Sequence, residues 1–63
     1  MPNSAEIIER AVHDFQKIQQ HMKTAKKEHA IETYEGLKKD YKSIKAVLTS
    51  LGVNLTEIDE IKE

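Results

Sequence analysis

The stretch Ala25-Lys26-Lys27-Glu28-His29-Ala30-Ile31-Glu32-Thr33 decides the fold, because two apolar ladders meet in it out of register. The first ladder is Ile8, Ala11, Phe15, Ile18, Met22 and Ala25. The second is Ala30, Tyr34, Leu37, Tyr41, Ile44, Leu48 and Leu51. Within each ladder the steps alternate between three and four, which lines one face of an α-helix. From Ala25 to Ala30 the step is five. Either a helical hairpin turns there, or one long helix slips its phase. The stretch contains no Gly, Pro or Asn, and most of its residues are adequate helix formers, so local propensity favours continuity. An unbroken helix from about residue 4 to 51 would be roughly 70 Å long with a mismatched seam, so energetics favour the hairpin. Lys26 and Lys27 suit the end of a preceding helix through its dipole, and Thr33 offers a cap to the next.

Upstream, Asn3 or Ser4 can cap the first helix, with Glu6 closing a capping box and Pro2 harmless outside it. Ile7 and Val12 widen the seam beyond strict heptad positions, as in a bundle rather than a two-stranded coil. Downstream, Gly36 costs a helix about 1 kcal/mol against alanine and reads as an exposed or crowded near-terminal position, or as part of a late helix start with the linker running to Thr33 or beyond. Leu51-Gly52 reads as a helix end. Leu55-Thr56-Glu57-Ile58-Asp59 then has the form of a helix start, with Thr56 as cap, Asp59 closing the box and Leu55 in the staple position. Leu55, Ile58 and Ile61 would pack a short third helix against the end of the hairpin, or grip a partner. The expected fold is one all-α domain over residues 1–63: an antiparallel helical hairpin (about 4–27 and 31–51) with a short C-terminal helix (about 56–62).

A chain of 63 residues without cysteine is marginal as an isolated domain. Two helices side by side also leave half of each seam uncovered. The chain is therefore expected to dimerise into a four-helix bundle or to bind a larger protein. The interface expected from the ladders comprises Ile8, Phe15, Ile18, Met22, Tyr34, Leu37, Tyr41, Ile44, Leu48 and Leu51. Tyr34 and Tyr41 are the distinctive members, since their hydroxyls require water or an acceptor: the simpler reading is two edge-of-core tyrosines with wet hydroxyls, and the other is a docking site, because tyrosine is enriched at interfaces.

Charge lies in blocks. Lys23, Lys26, Lys27, Lys38, Lys42 and Lys45 form a candidate basic patch, brought together at the turn end by a hairpin. Glu57, Asp59, Glu60 and Glu63 make the tail acidic. A net charge of −1 and only three aromatic residues argue against a dedicated nucleic-acid binder. The simplest reading of the lysines is a solvated flank whose stems cover the seam edge; an acidic protein partner comes next. With no long apolar run, neither a membrane span nor a signal peptide is expected, and the cytoplasm is the default location.

No catalytic constellation is present. His13, His21 and His29 are spaced by eight, which turns successive rings roughly 80° apart on a helix, not the spacing of a helical zinc pair. Ser4, Ser43 and Ser50 have no paired base nearby, and no glycine-rich loop cradles a phosphate. No enzyme activity, cofactor, metal or small-molecule substrate is expected. The functional expectation is a small regulatory or adaptor protein acting by helix-mediated protein–protein interaction and self-association. The alternative is a nucleic-acid-associated accessory protein using the lysine-rich face.

Overall fold

The computed structural model describes residues 4–62. Two α-helices, α1 (Ser4–Lys27) and α2 (Ile31–Ser50), pack against each other as a hairpin. The 24 residues of α1 set a length of about 36 Å at 1.5 Å per residue, close to the 40 Å long axis of the molecule. The phase break of five is thus a turn, and α2 ends one residue before the expected boundary, with Leu51 as its C-cap. The proposed Asn3 and Ser4 caps fall on a residue and a side chain outside those described.

The turn forms without a glycine. The Ala30 amide donates to the Ala25 carbonyl at 2.8 Å and the His29 amide to the Lys26 carbonyl at 3.2 Å. These are the two bonds of a Schellman termination, with His29 in the left-handed position at φ 58°. The same pair of bonds ends α2. Val53 N–H reaches the Leu48 carbonyl at 3.0 Å and Gly52 N–H the Thr49 carbonyl at 3.1 Å, with Gly52 at φ 79°. Ala30 opens α2 with no side-chain cap, so Thr33 does not serve as one.

Phe15, Met22, Tyr41 and Leu48 form the fully buried core. The rings of Phe15 and Tyr41 stack at 5.2 Å with 18° between their planes. The ladders therefore meet each other across the hairpin. Gly36 is exposed within α2 with open space around it, so of the readings open to it the solvent-facing one holds, and neither crowding nor a late helix start does.

The C-terminal helix expected over about 56–62 does not form. Residues 53–62 instead make a strap that runs back from the end of α2 toward the turn. It contains a single turn, closed by the Asp59 amide on the Leu55 carbonyl at 2.8 Å. The cause is competition for hydrogen bonds. The Glu60 and Ile61 amides and the Ile58 carbonyl, which a helix would pair internally, all bond to the Gln19 side chain. Thr56 does not cap either: the Asp59 amide, which its hydroxyl would hold, bonds to the Leu55 carbonyl, and its own amide is held by Asn54 Oδ1 at 2.9 Å in an Asx turn. Leu55, Ile58 and Ile61, joined by Val53, do pack back on the hairpin, but along its core beside Gln19 rather than at its end.

Candidate functional site

One face of the hairpin is gripped by the strap. Gln19 lies on α1 between the Phe15 and Met22 turns and is fully buried. Its Nε2 donates to the Ile58 carbonyl at 2.8 Å, and its Oε1 accepts from the Glu60 and Ile61 amides at 2.6 and 3.0 Å. A single side chain thus satisfies three backbone groups of a segment with little internal bonding.

From α2, Tyr41 and Lys45 reach the same segment. One helical turn separates them, so both point to one side. Tyr41 donates its hydroxyl to Asp59 Oδ1 at 2.5 Å. Lys45 Nζ lies 2.8 Å from Asp59 Oδ2 and donates a longer bond of 3.4 Å to the Tyr41 oxygen. Asp59 Oδ1 also accepts the Lys62 amide at 2.8 Å. Burial opposes the charge on Asp59, but the hydrogen bonds from Lys45, Tyr41 and Lys62 outweigh it and hold the carboxyl below the usual carboxylate range. The Asp59 hydrogen bond outweighs desolvation at Lys45 and raises the ammonium above its ordinary value. A further pair, Lys23 with Glu60 at 3.1 Å, is exposed and contributes little. Among the described residues, no buried side-chain polar atom lacks a partner.

The expected interface residues separate into two groups. Phe15, Met22, Tyr41 and Leu48 lie inside the fold. Ile8, Ile18, Tyr34, Leu37 and Ile44 are half-buried, and Leu51 is exposed. Tyr34 lines a groove with Met22, Lys26, Glu60 and Ile61, where the strap ends. Ile18 precedes Gln19 by one residue, a rotation of about 100° away from the strap. Ile44 is likewise turned about 100° from Lys45. Leu37 lines a shallow hollow with His21, Thr24, Ala25 and Thr33 to which the strap contributes nothing. The face opposite the strap therefore carries Ile18, Leu37 and Ile44, with the exposed Ile7, Val47 and Leu51 on its margin.

The candidate basic patch divides as well. Lys23 and Lys45 engage strap carboxylates, and Lys26 and Lys38 flank an open hollow of about 420 Å³ at the turn, beside His29 and Glu35. Lys27 and Lys42 are exposed. Much of the lysine side of the hairpin is thus the side on which the acidic strap lies.

Gln19 and the acidic partners of the strap escaped the sequence reading. Gln19 stands just off the ladder and bonds only to main chain, which leaves no side-chain pattern to find. Among the described residues no cluster of His, Asp or Glu could hold a metal ion, and no helix is long and apolar enough to cross a membrane. Compared with known protein families, curated proteins and solved structures, the chain matches none.

Proposed function

We infer that this chain is a small non-catalytic protein-binding module of regulatory or adaptor type, which self-associates through the hairpin face that the strap leaves bare. The observation that carries this reading is the distribution of apolar side chains after folding. The strap closes one side of the Phe15–Tyr41 core, while Ile18, Leu37 and Ile44 stay half-buried on the other, beside Ile7 at 47% and Val47 at 49% exposure. A face of this kind on so small a domain is a natural site for a second hairpin, and two copies joined there form a four-helix bundle.

Light scattering on the untagged chain across a concentration series tests the reading. The expected mass is twice 7.2 kDa, with a melting temperature that rises with concentration. A folded monomer over the whole micromolar range, with a constant melting temperature, would refute self-association.

A further inference from the structure

We propose that the groove between α1 and α2 beneath the strap is a receptor for an acidic linear segment of a partner protein, and that residues 53–62 occupy it as a built-in competitor. This extends the protein-binding reading to the other face of the hairpin and rests on that reading only in taking the chain to be a binding module. Self-association is not required.

Three features of the groove carry the inference. First, Gln19 grips the strap through main-chain groups at three points, a mode of recognition that reads backbone shape rather than side-chain identity. Second, the groove supplies a cation from α2, where Lys45 meets the mostly buried Asp59 carboxylate, and Lys23 from α1 adds a weaker, exposed contact to Glu60. Tyr41 adds a hydroxyl donor to the same Asp59 carboxylate. Third, the strap contributes apolar side chains at a regular spacing, Leu55, Ile58 and Ile61, all packed on the core.

The occupant is therefore defined by its chemistry: apolar residues at positions 0, +3 and +6, with carboxylates at +4 and +5 as Asp59 and Glu60 provide them. The strap has one turn of its own, and beyond its start at Val53 it depends mainly on the groove for its position. It is joined to α2 through the exposed Gly52, which makes it a replaceable ligand held at high local concentration. A segment arriving on another protein must compete with that tether, so its apparent affinity is lowered by the fraction of time the groove is closed.

The test uses the full chain with Ile58→Ser and Ile61→Ser, which weakens the strap and leaves every groove residue intact. The probe is a fluorescent peptide with the sequence of residues 53–63, followed by anisotropy, with helicity recorded in parallel. The weakened chain should bind the peptide at least about tenfold more tightly than the unmodified chain. A peptide with Asp59→Asn and Glu60→Gln should bind at least about tenfold more weakly than the acidic one. Should the double variant lose helicity, the acidic peptide is expected to restore it.

Equal binding to both chains would place the peptide elsewhere and overturn the proposal. So would equal binding of the Asp59→Asn, Glu60→Gln peptide, absence of binding to a folded variant, or failure to restore helicity to an unfolded one. Displacement of the peptide by a single-stranded oligonucleotide at equal concentration would make the groove a nucleic-acid site instead. The mass of the same samples by light scattering reports separately on self-association, so the two readings fail independently.

Discussion

The two faces of the hairpin are built from the same ladders and differ in what finishes them. Under the strap, apolar contacts are joined by a polar lock in which Gln19, Tyr41, Lys45 and Asp59 are matched donor to acceptor. On the bare face, the apolar side chains Ile18, Leu37 and Ile44 are only partly covered, and Ile7 and Val47 remain about half exposed. Apolar burial sets how strongly two surfaces adhere, whereas paired polar groups set which arrangement they adopt. The covered face is thus specified in its register, and the bare one is available.

Gln19→Ala offers the strongest way to break that contrast. It removes three hydrogen bonds and leaves the Ile58 carbonyl and the Glu60 and Ile61 amides to find water in a partly buried site. The expected cost is about 3 kcal/mol by urea denaturation, with faster amide exchange at Glu60 and Ile61. A cost below about 1 kcal/mol would mean that the strap adheres by apolar contact alone, and the distinction between the faces would be one of coverage only.

Asp59→Asn is expected to cost about 2 kcal/mol, less than for a fully buried pair because Lys45 keeps part of its side chain in water. The pH dependence has a definite sign. Because the folded carboxyl titrates below its ordinary value, its contribution is complete above the unfolded pKa of about 4 and is lost as pH falls through the folded value. Lys45 has the opposite sense: its contribution is complete below about pH 10 and is lost as pH rises through its raised folded value. The stability difference between the unmodified chain and the Asp59→Asn variant should therefore shrink at both extremes. A difference that stays constant down to about pH 2 would remove the charge from the explanation.

A smaller effect is expected at the turn, which lies beyond the reach of the strap. His29 and Gly52 occupy equivalent left-handed positions in two terminations of the same type, one with a Cβ and one without. His29→Gly should stabilise the chain by about 0.5–1 kcal/mol, and Gly52→Ala should cost about 1 kcal/mol. In a domain of this size those changes shift the thermal midpoint by roughly 5 °C in opposite directions. Loss of stability in His29→Gly would show that the imidazole makes a contact worth more than the backbone strain it imposes.

The contrast between the faces also explains which parts of the structure were legible in the sequence. The helices followed from ladder phase, a property of local spacing that survives folding unchanged; the step of five between Ala25 and Ala30 allowed a turn or a phase slip, and the energetics of a long unbroken helix with a mismatched seam favoured the turn despite the absence of a breaker. Gly52 as a terminator and Leu55, Ile58 and Ile61 as a packing set were visible for the same reason. The missing C-terminal helix was not, because Leu55-Thr56-Glu57-Ile58-Asp59 satisfies the local rules for a helix start. What overrides them is Gln19, 39 residues from Ile58 in the chain, and such long-range capture of backbone has no local signature. Tyr41 could be recognised as a hydroxyl in need of an acceptor, but that the acceptor is Asp59 depends on where the strap lies.

The sharpest comparison sets a β-branched apolar residue to serine on each face. Val47→Ser on the bare face should alter the stability of the monomer by no more than about 0.5 kcal/mol, since the side chain is already half in water. Its effect should appear only on association. In the proposed dimer each copy would bring the substitution to the shared face, and losing roughly 1 kcal/mol of apolar burial per copy would weaken association by about 30-fold. At low concentration the variant and the unmodified chain should melt together, and at high concentration they should separate. Ile58→Ser on the covered face should instead lower stability at every concentration by a similar amount. If Val47→Ser behaves like Ile58→Ser, the bare face is part of the monomer's own stability. If it has no effect at any concentration, a second copy does not cover Val47.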